Sequence, residues 1–380
     1  MYSLLDYGRF LRDTRRVDAY AAALRRAVTP GSVVVDIGTG TGILALLACK
    51  FGARRVYAIE PGDVIQVAQE LAAANGYADR IEFIQSVASR ATPGEAADVI
   101  VSDPRDVFPL VGHYLPSLLH ARRHFLAPGG TLIPARDTLW VAPAHAPKLY
   151  GGCAAPWEGN GYGLDLRAGR RLAVNQWRKA RVPREHLLAE PTCWATLDYA
   201  TVQGSDVRGS VSWTMRREGT AHGLAAWSDA MLAEGVTLSN APGEPDLVYR
   251  TAFFPFTTPI ALVHGDMVSV DLEATLIGDD YVWHWNTRVL RRGEPALVKA
   301  NFEQSTESPG APSRAPAAGA SRGAPKLGVA GEIDRFILTR MDGATSLGEI
   351  AREICLRYAT HFATWQDALA YVGELSDRYS

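Results

Sequence analysis

Two acids and three glycines near the start of the chain are spaced for chemistry. Asp36 lies in an apolar run, Val33–Ile37; Gly38, Gly40 and Gly42 follow in alternation, around Thr39; an apolar helical pattern then opens at Ile43 and Leu44. Glycines at such a turn permit positive φ and let a ligand approach the backbone closely. The spacing is G-x-G-x-G, so no third glycine is placed to seat a pyrophosphate at the helix start. A second acid, Glu60, followed by Pro61, closes the next apolar run, about 20 residues on, where a carboxylate can hold both hydroxyls of a ribose. One glycine-rich turn alone is weak information, and the second acid sharpens it. A further stretch, residues 102–114, carries Asp103, Asp106, His113 and Tyr114, groups able to accept or position a proton.

The elements that must hold these residues come in three textures. Up to about residue 135, apolar runs (Val33–Ile37, Arg55–Ile59, Arg80–Ile84, Asp98–Ser102) alternate with helical patterns such as Ile43–Phe51 and Val64–Asn75. That alternation predicts a parallel sheet built from βαβ units. From 136 to 304 the pattern turns to alternating segments, among them Arg208–Arg216, Thr257–Leu262 and Met267–Leu276, which read as antiparallel strands. Eight of the nine tryptophans fall in this second stretch, so its core is aromatic-rich. The basic segment Arg167–Leu188 reads as partly helical. Residues 305–327, rich in Ser, Gly, Ala and Pro, read as an extended linker. Residues 328–380 regain helical periodicity, with capping boxes at Ser346–Glu349 and Thr364–Asp367.

Composition narrows the class. The 380 residues are 47% hydrophobic and 21% charged with a formal net charge of −2, which excludes wholesale disorder and gives no electrostatic case for a nucleic-acid partner. No window approaches the ~18 consecutive apolar residues of a membrane span, and the charged N-terminus is no signal peptide. Cys49, Cys153, Cys193 and Cys355 are scattered without a CxxC pair, so neither a disulfide scaffold nor a metal site is expected. A soluble cytoplasmic protein is the expectation.

Acid, glycine loop and second acid together resemble the S-adenosyl-L-methionine pocket of class I methyltransferases. Over about residues 10–300 the chain is similar to the protein arginine methyltransferases. The matching stretches are 33–44, 51–60, 120–134, 162–165 and 238–242. The resemblance implies a Rossmann-like α/β domain (1–135), an antiparallel β-barrel (136–304) with a helical dimerisation arm near 158–195, and a homodimer. It implies that Arg16 holds the methionine carboxylate, Glu60 the ribose, and Val87 and Ala88 the adenine. Asp36, Gly38, Thr39, Gly40, Gly42, Ile43, Leu44, Pro61 and Asp103 complete the implied cofactor pocket.

The acceptor side departs from that family. Its two loop glutamates, which would clamp a guanidinium by bidentate hydrogen bonds, correspond here to Asp103 and Gly112. Its Thr-His-Trp loop corresponds to Leu247, Val248 and Tyr249. On those losses the sequence favours a neutral amine of a peptide or protein as acceptor, with Asp103 managing its proton and Asp106, His113, Tyr114 and Tyr249 lining the site. Asp103 also fits a strand-end cap. Arg105 leaves carboxyl O-methylation open, as a partner for a substrate carboxylate. Arginine methylation with a rebuilt pocket, and a non-catalytic scaffold, are the other readings. The last ~50 residues resemble the helical half of PqqD-like peptide-recognition domains, or a winged helix, or a docking unit. Together with the lost clamp they point the sequence reading to maturation of a ribosomally made peptide, for instance methylation of a daptide-type terminal amine.

Overall fold

A computed structural model of the chain describes residues 3–159, 162–307, 329–359, 361–362 and 364–379. Residues 3–307 form one compact unit and the C-terminal helices another. In the first unit, α1 (Leu4–Arg12) and α2 (Thr14–Ala27) precede an alternating series. The series runs β1 (Val33–Ile37), α3 (Ile43–Lys50), β2 (Arg55–Ile59), α4 (Ile65–Ala74), β3 (Ile81–Ile84), β4 (Ala97–Ser102), α5 (Tyr114–His124) and β5 (Leu126–Ile133). The strands pair in parallel in the order β3-β2-β1-β4-β5. Every residue of β1 is buried, as a strand covered on both faces requires. The order reverses between β1 and β4, so the loops leaving their C-terminal ends open a crevice, the place where doubly wound sheets bind ligands.

The antiparallel part is two sheets. β6 (Arg136–Ala144), β7 (Arg178–Ala180), β8 (Thr192–Asp198), β10 (Gly219–Ala233), β11 (Val236–Ser239) and β12 (Thr251–Leu262) make one. β9 (Val207–Thr214), β13 (Met267–Ile277), β14 (Asp280–Arg291) and β15 (Glu294–Phe302) make the other. They close on each other in a barrel-like arrangement around Trp194, Trp213, Phe254, Trp283 and Trp285. An arm containing α6 (Pro147–Ala154) and α7 (Arg167–Ala173) interrupts the first sheet between β6 and β8. The basic segment is therefore only briefly helical; β7 occupies its middle. One apolar core runs from Val33, Val35 and Ile37 through Phe108 and Leu115 into the barrel tryptophans, so the two sheet systems are packed together.

The expected linker begins too early at 305: Ser305 pairs with His284, and the Thr306 hydroxyl accepts the Trp283 N–H at 2.9 Å, so this end still belongs to the barrel. Residues 308–327 of the expected linker lie outside the described residues. In the second unit, α8 (Val329–Arg340), α9 (Leu347–Arg357) and α10 (Trp365–Tyr379) bury Ile333, Ile337, Ile350, Ile354, Val372 and Leu375. Ser346 and Glu349 cap each other's backbone reciprocally, and Thr364 and Asp367 do the same. Among the described residues of this unit there is no strand.

Candidate active site

The crevice at the reversal of strand order holds a cavity of about 980 Å³. Its floor is the glycine loop. Gly38, Gly40 and Gly42 all have positive φ, of 70°, 53° and 82°. Each is also crowded: a Cβ on Gly38 would come within 2.9 Å of the Pro104 ring, and one on Gly40 within 2.7 Å of the Tyr7 ring. Gly42 is crowded differently, 2.9 Å from Ala68 Cβ on α4, so it serves helix packing and does not line the cavity. Thr39, Ile43 and Leu44 do line it.

Glu60 reaches the same floor from the end of β2. Its Oε2 accepts the Gly40 N–H at 3.1 Å and its Oε1 the Gly62 N–H at 2.9 Å. The carboxylate is thus oriented by backbone while keeping lone pairs for a ligand. Pro61, Val87 and Ala88 line the adjoining wall. Asp36, like Gly42, is an expected contact that does not line the cavity. Its side chain is buried beneath the loop, where Oδ2 accepts the Thr39 hydroxyl at 2.6 Å and Oδ1 has no partner. Burial drives its pKa up to about 7, against the lowering effect of the Thr39 hydrogen bond. It supports the loop from below, outside the cavity lining.

Arg16 comes from the first turn of α2, which Asp13 caps through its Oδ1 and the Arg16 N–H. The other Asp13 oxygen accepts the Val248 N–H at 2.7 Å, which ties the barrel segment carrying Tyr249 to this helix start. Arg16 donates to Asp103 and to the Phe10 carbonyl. Burial opposes its charge, yet the Asp103 carboxylate more than offsets that, and its pKa lies above the ordinary arginine value. Its Nε–H is buried without a partner. Asp103 thereby sits between Arg16 on one oxygen and the Tyr249 hydroxyl on the other, with only 6% of its side chain exposed. Burial first, then the negative charge of Asp103, raises the Tyr249 pKa, so that hydroxyl stays a donor.

The loop after β4 is pinned by the barrel. Arg105 does not face a substrate carboxylate: it forms a two-pronged pair with Asp137 of β6, which is 0% exposed, and donates to Ser228. Tyr199 completes the Asp137 shell at 2.6 Å. Arg105 still borders the cavity, but Asp106 turns away from it, to Lys179 of β7, so the expected place of Asp106 in the lining is corrected. The Val107 carbonyl accepts from Asn240 at 3.0 Å, and Phe108 inserts among Trp177, Phe254 and Trp283, the last at 5.1 Å between ring centroids. These long-range contacts exist only once the barrel has formed. Beyond the loop, Gly112, His113 and Tyr114 return to the cavity wall.

Several lining residues carried no local signal. Tyr7, Phe10 and Leu11 on α1 close one side, and Asp279 arrives from the turn between β13 and β14. Only the packing of distant segments brings them here.

Known proteins place this architecture. Residues 20–134 match the family described as ribosomal protein L11 methyltransferase (PrmA), and residues 136–282 match the arginine methyltransferase oligomerization subdomain. Protein arginine N-methyltransferase 6 of Danio rerio is 30% identical over 256 residues, covering 64% of this chain and 73% of that protein. The chain belongs to the protein arginine methyltransferase family. Probable protein arginine N-methyltransferase 6 of Arabidopsis thaliana is 29% identical over 228 residues, 58% of this chain and 52% of the relative. The chain thus spans about half the length of that relative. In fold, the Trypanosoma brucei PRMT1 enzyme-prozyme heterotetrameric complex with AdoHcy superimposes with a TM-score of 0.71 at 22% identity, over 79% of this chain and 96% of that one. Resemblance to the family, drawn from the glycine loop and the barrel stretches, is borne out, as is the fold class.

The lining fits S-adenosylmethionine on its own terms. The buried, unpartnered Arg16 Nε–H suits the methionine carboxylate, and Glu60 suits the ribose hydroxyls. The crowding at Gly38 and Gly40 leaves the backbone bare where the ligand must approach.

Proposed function

We propose that the chain is an S-adenosylmethionine-dependent methyltransferase acting on a guanidinium nitrogen of arginine in a peptide or protein. The observation that carries this is the buried Asp103 carboxylate, fixed by Arg16 and Tyr249 on the cavity wall next to the glycine loop. A fixed buried anion suits a permanently cationic acceptor. When bound, the cofactor supplies an activated methyl group on a sulfonium. The protein's share is then to hold the acceptor nitrogen in line, exclude water and stabilise positive charge. Asp103 presents the anion, Tyr249 and Arg16 keep its carboxylate plane fixed, and α1 covers the cavity.

Relatives named for arginine methylation support this acceptor over the amine favoured by sequence alone, and maturation of a ribosomally made peptide finds no support among them. Carboxyl O-methylation loses its basis because Arg105 is committed to Asp137. One observation still favours an amine: Gly112 brings no carboxylate to the loop. Single-turnover transfer to an arginine peptide and to the same peptide with a primary amine in its place decides between them. An amine rate that climbs with pH, with no transfer to arginine, would overturn our reading, since a guanidinium with pKa above ~12 stays protonated across the range. No S-adenosylmethionine binding in calorimetry would favour the scaffold reading instead.

We further infer a homodimer formed through the arm, supported by the match to the oligomerization subdomain and by exposed Trp157, Tyr162, Leu164 and Leu172 there. A monomer at micromolar concentration in light scattering would remove it. Free thiols at Cys49, Cys153, Cys193 and Cys355 suit a cytoplasmic setting, and no described helix is long and apolar enough to cross a membrane. We read the three-helix C-terminal unit as a peptide-recognition or docking module; unchanged substrate affinity and assembly on its removal would count against both.

A further inference from the structure

A guanidinium presents five N–H donors in one plane, and a single carboxylate cannot satisfy them. Among the described residues, three that line the cavity carry carboxylates: Glu60, Asp103 and Asp279. Glu60 is held on the cofactor side by the backbone N–H groups of Gly40 and Gly62. Both oxygens of Asp103 already accept a hydrogen bond from the protein. Asp279 is different. It stands in the β13–β14 turn, and only its Oδ1 has a protein partner, His113 Nε2 at 2.8 Å.

The place it occupies is informative. Gly112 precedes His113 on the wall, has φ of 45°, and a Cβ built there would have one neighbour within 4 Å, the Asp279 carbonyl oxygen at 3.8 Å. A side chain at 112 would therefore extend toward the Asp279 turn. The loop after β4 carries no carboxylate at 112, beside the turn where the barrel brings one in.

We propose that Asp279, tethered by His113, is the second anion of the acceptor site and contacts the substrate guanidinium opposite Asp103. This rests on the arginine reading given above. The side chain of Asp279 is 97% exposed, so its free oxygen meets substrate at the cavity rim, where an ion pair is partly screened. Its contribution falls on acceptor binding, and acceptor choice is set by the barrel turn as well as by the loop after β4. Asp279 is a specificity-determining contact supplied from a different sheet.

The test is steady-state methylation of an arginine peptide by wild type, Asp279→Asn and Asp279→Glu, with S-adenosylmethionine affinity measured alongside by calorimetry. Asp279→Asn should raise the peptide KM by about two- to fivefold, more than it lowers kcat, while cofactor affinity is retained. Asp279→Glu, which keeps the charge, should recover most of the loss. A peptide KM unmoved by Asp279→Asn would overturn the inference and leave the arginine reading intact. Wild type that binds cofactor but transfers nothing to the arginine peptide would overturn both. A variant that loses cofactor affinity in step with peptide affinity would show a merely structural turn, and the inference would fail.

Discussion

Replacing Asp103 by Asn tests the centre of the site, because shape is kept and one negative charge is removed. The structure makes two separate demands on that charge. Arg16 and Asp103 are a buried pair, with 8% and 6% of their side chains exposed. Removing one member of such a pair costs roughly 3–5 kcal/mol, since the other is left buried and uncompensated. At about 2.1 cal/mol/K per residue, a unit of roughly 300 residues loses about 1.6 °C of Tm per kcal/mol, so cofactor-free Asp103→Asn should melt roughly 5–8 °C below wild type. The second demand is catalytic: the acceptor loses its fixed anion, and single-turnover transfer should slow by about 10²–10³. Cofactor affinity should move the other way or hold, because the methionine carboxylate then becomes the counter-charge that Arg16 lacks. Thermal unfolding with and without S-adenosylhomocysteine, beside single-turnover transfer, reads all three. Pairing Asp103→Asn with Arg16→Gln should return much of the lost stability. An unchanged Tm in the single variant would show that the buried pair does not exist as described. Retained transfer would remove Asp103 from the acceptor site.

Glu60→Ala should weaken S-adenosylmethionine binding at least about tenfold, as two charge-assisted hydrogen bonds of roughly 1.5–3 kcal/mol each are lost; unchanged affinity by calorimetry would mean the ribose lies elsewhere. Burial pushes the Asp36 pKa up from the ordinary carboxylate range to about 7, so the native state binds the extra proton. Stability of the cofactor-free protein should therefore fall as pH rises from about 4 to 7, and Asp36→Asn should flatten that dependence in denaturant titrations.

The sequence was most legible where geometry is local. Strands β1 and β2 stand at the residues their apolar runs predict, and the glycine loop falls between β1 and α3. Both capping boxes of the C-terminal helices formed as spaced. Such features need only neighbours three or four residues away. Arg105 misled because its partner, Asp137, lies 32 residues further on, in a sheet of the other type. Asp106 misled for the same reason, through Lys179. Asp36 misled differently: a motif records which residue closes a strand, but the twist beneath the loop decides whether its carboxylate faces ligand or core. Tyr7 and Asp279 were invisible, since nothing in their own segments distinguishes a cavity wall from a surface turn.

This contrast explains why cofactor and acceptor halves of one cavity differ so much in how readily they are read. On the cofactor side, the backbone itself is the binding surface, and steric limits act on single residues. A Cβ at Gly38 or Gly40 would strike Pro104 or Tyr7, and each position also requires positive φ. On the acceptor side, the wall is made of side chains brought by β4, β12 and the β13–β14 turn, each anchored by contacts far away in sequence. Phe108 is held by barrel aromatics, the Val107 carbonyl by Asn240, and Tyr249 by the cap of α2 through Val248. A carboxylate can leave such a wall at one element and return at another without disturbing the glycine loop. A loop without a carboxylate at Gly112 is thus weak ground for changing the acceptor, because the barrel turn brings Asp279 to the same cavity.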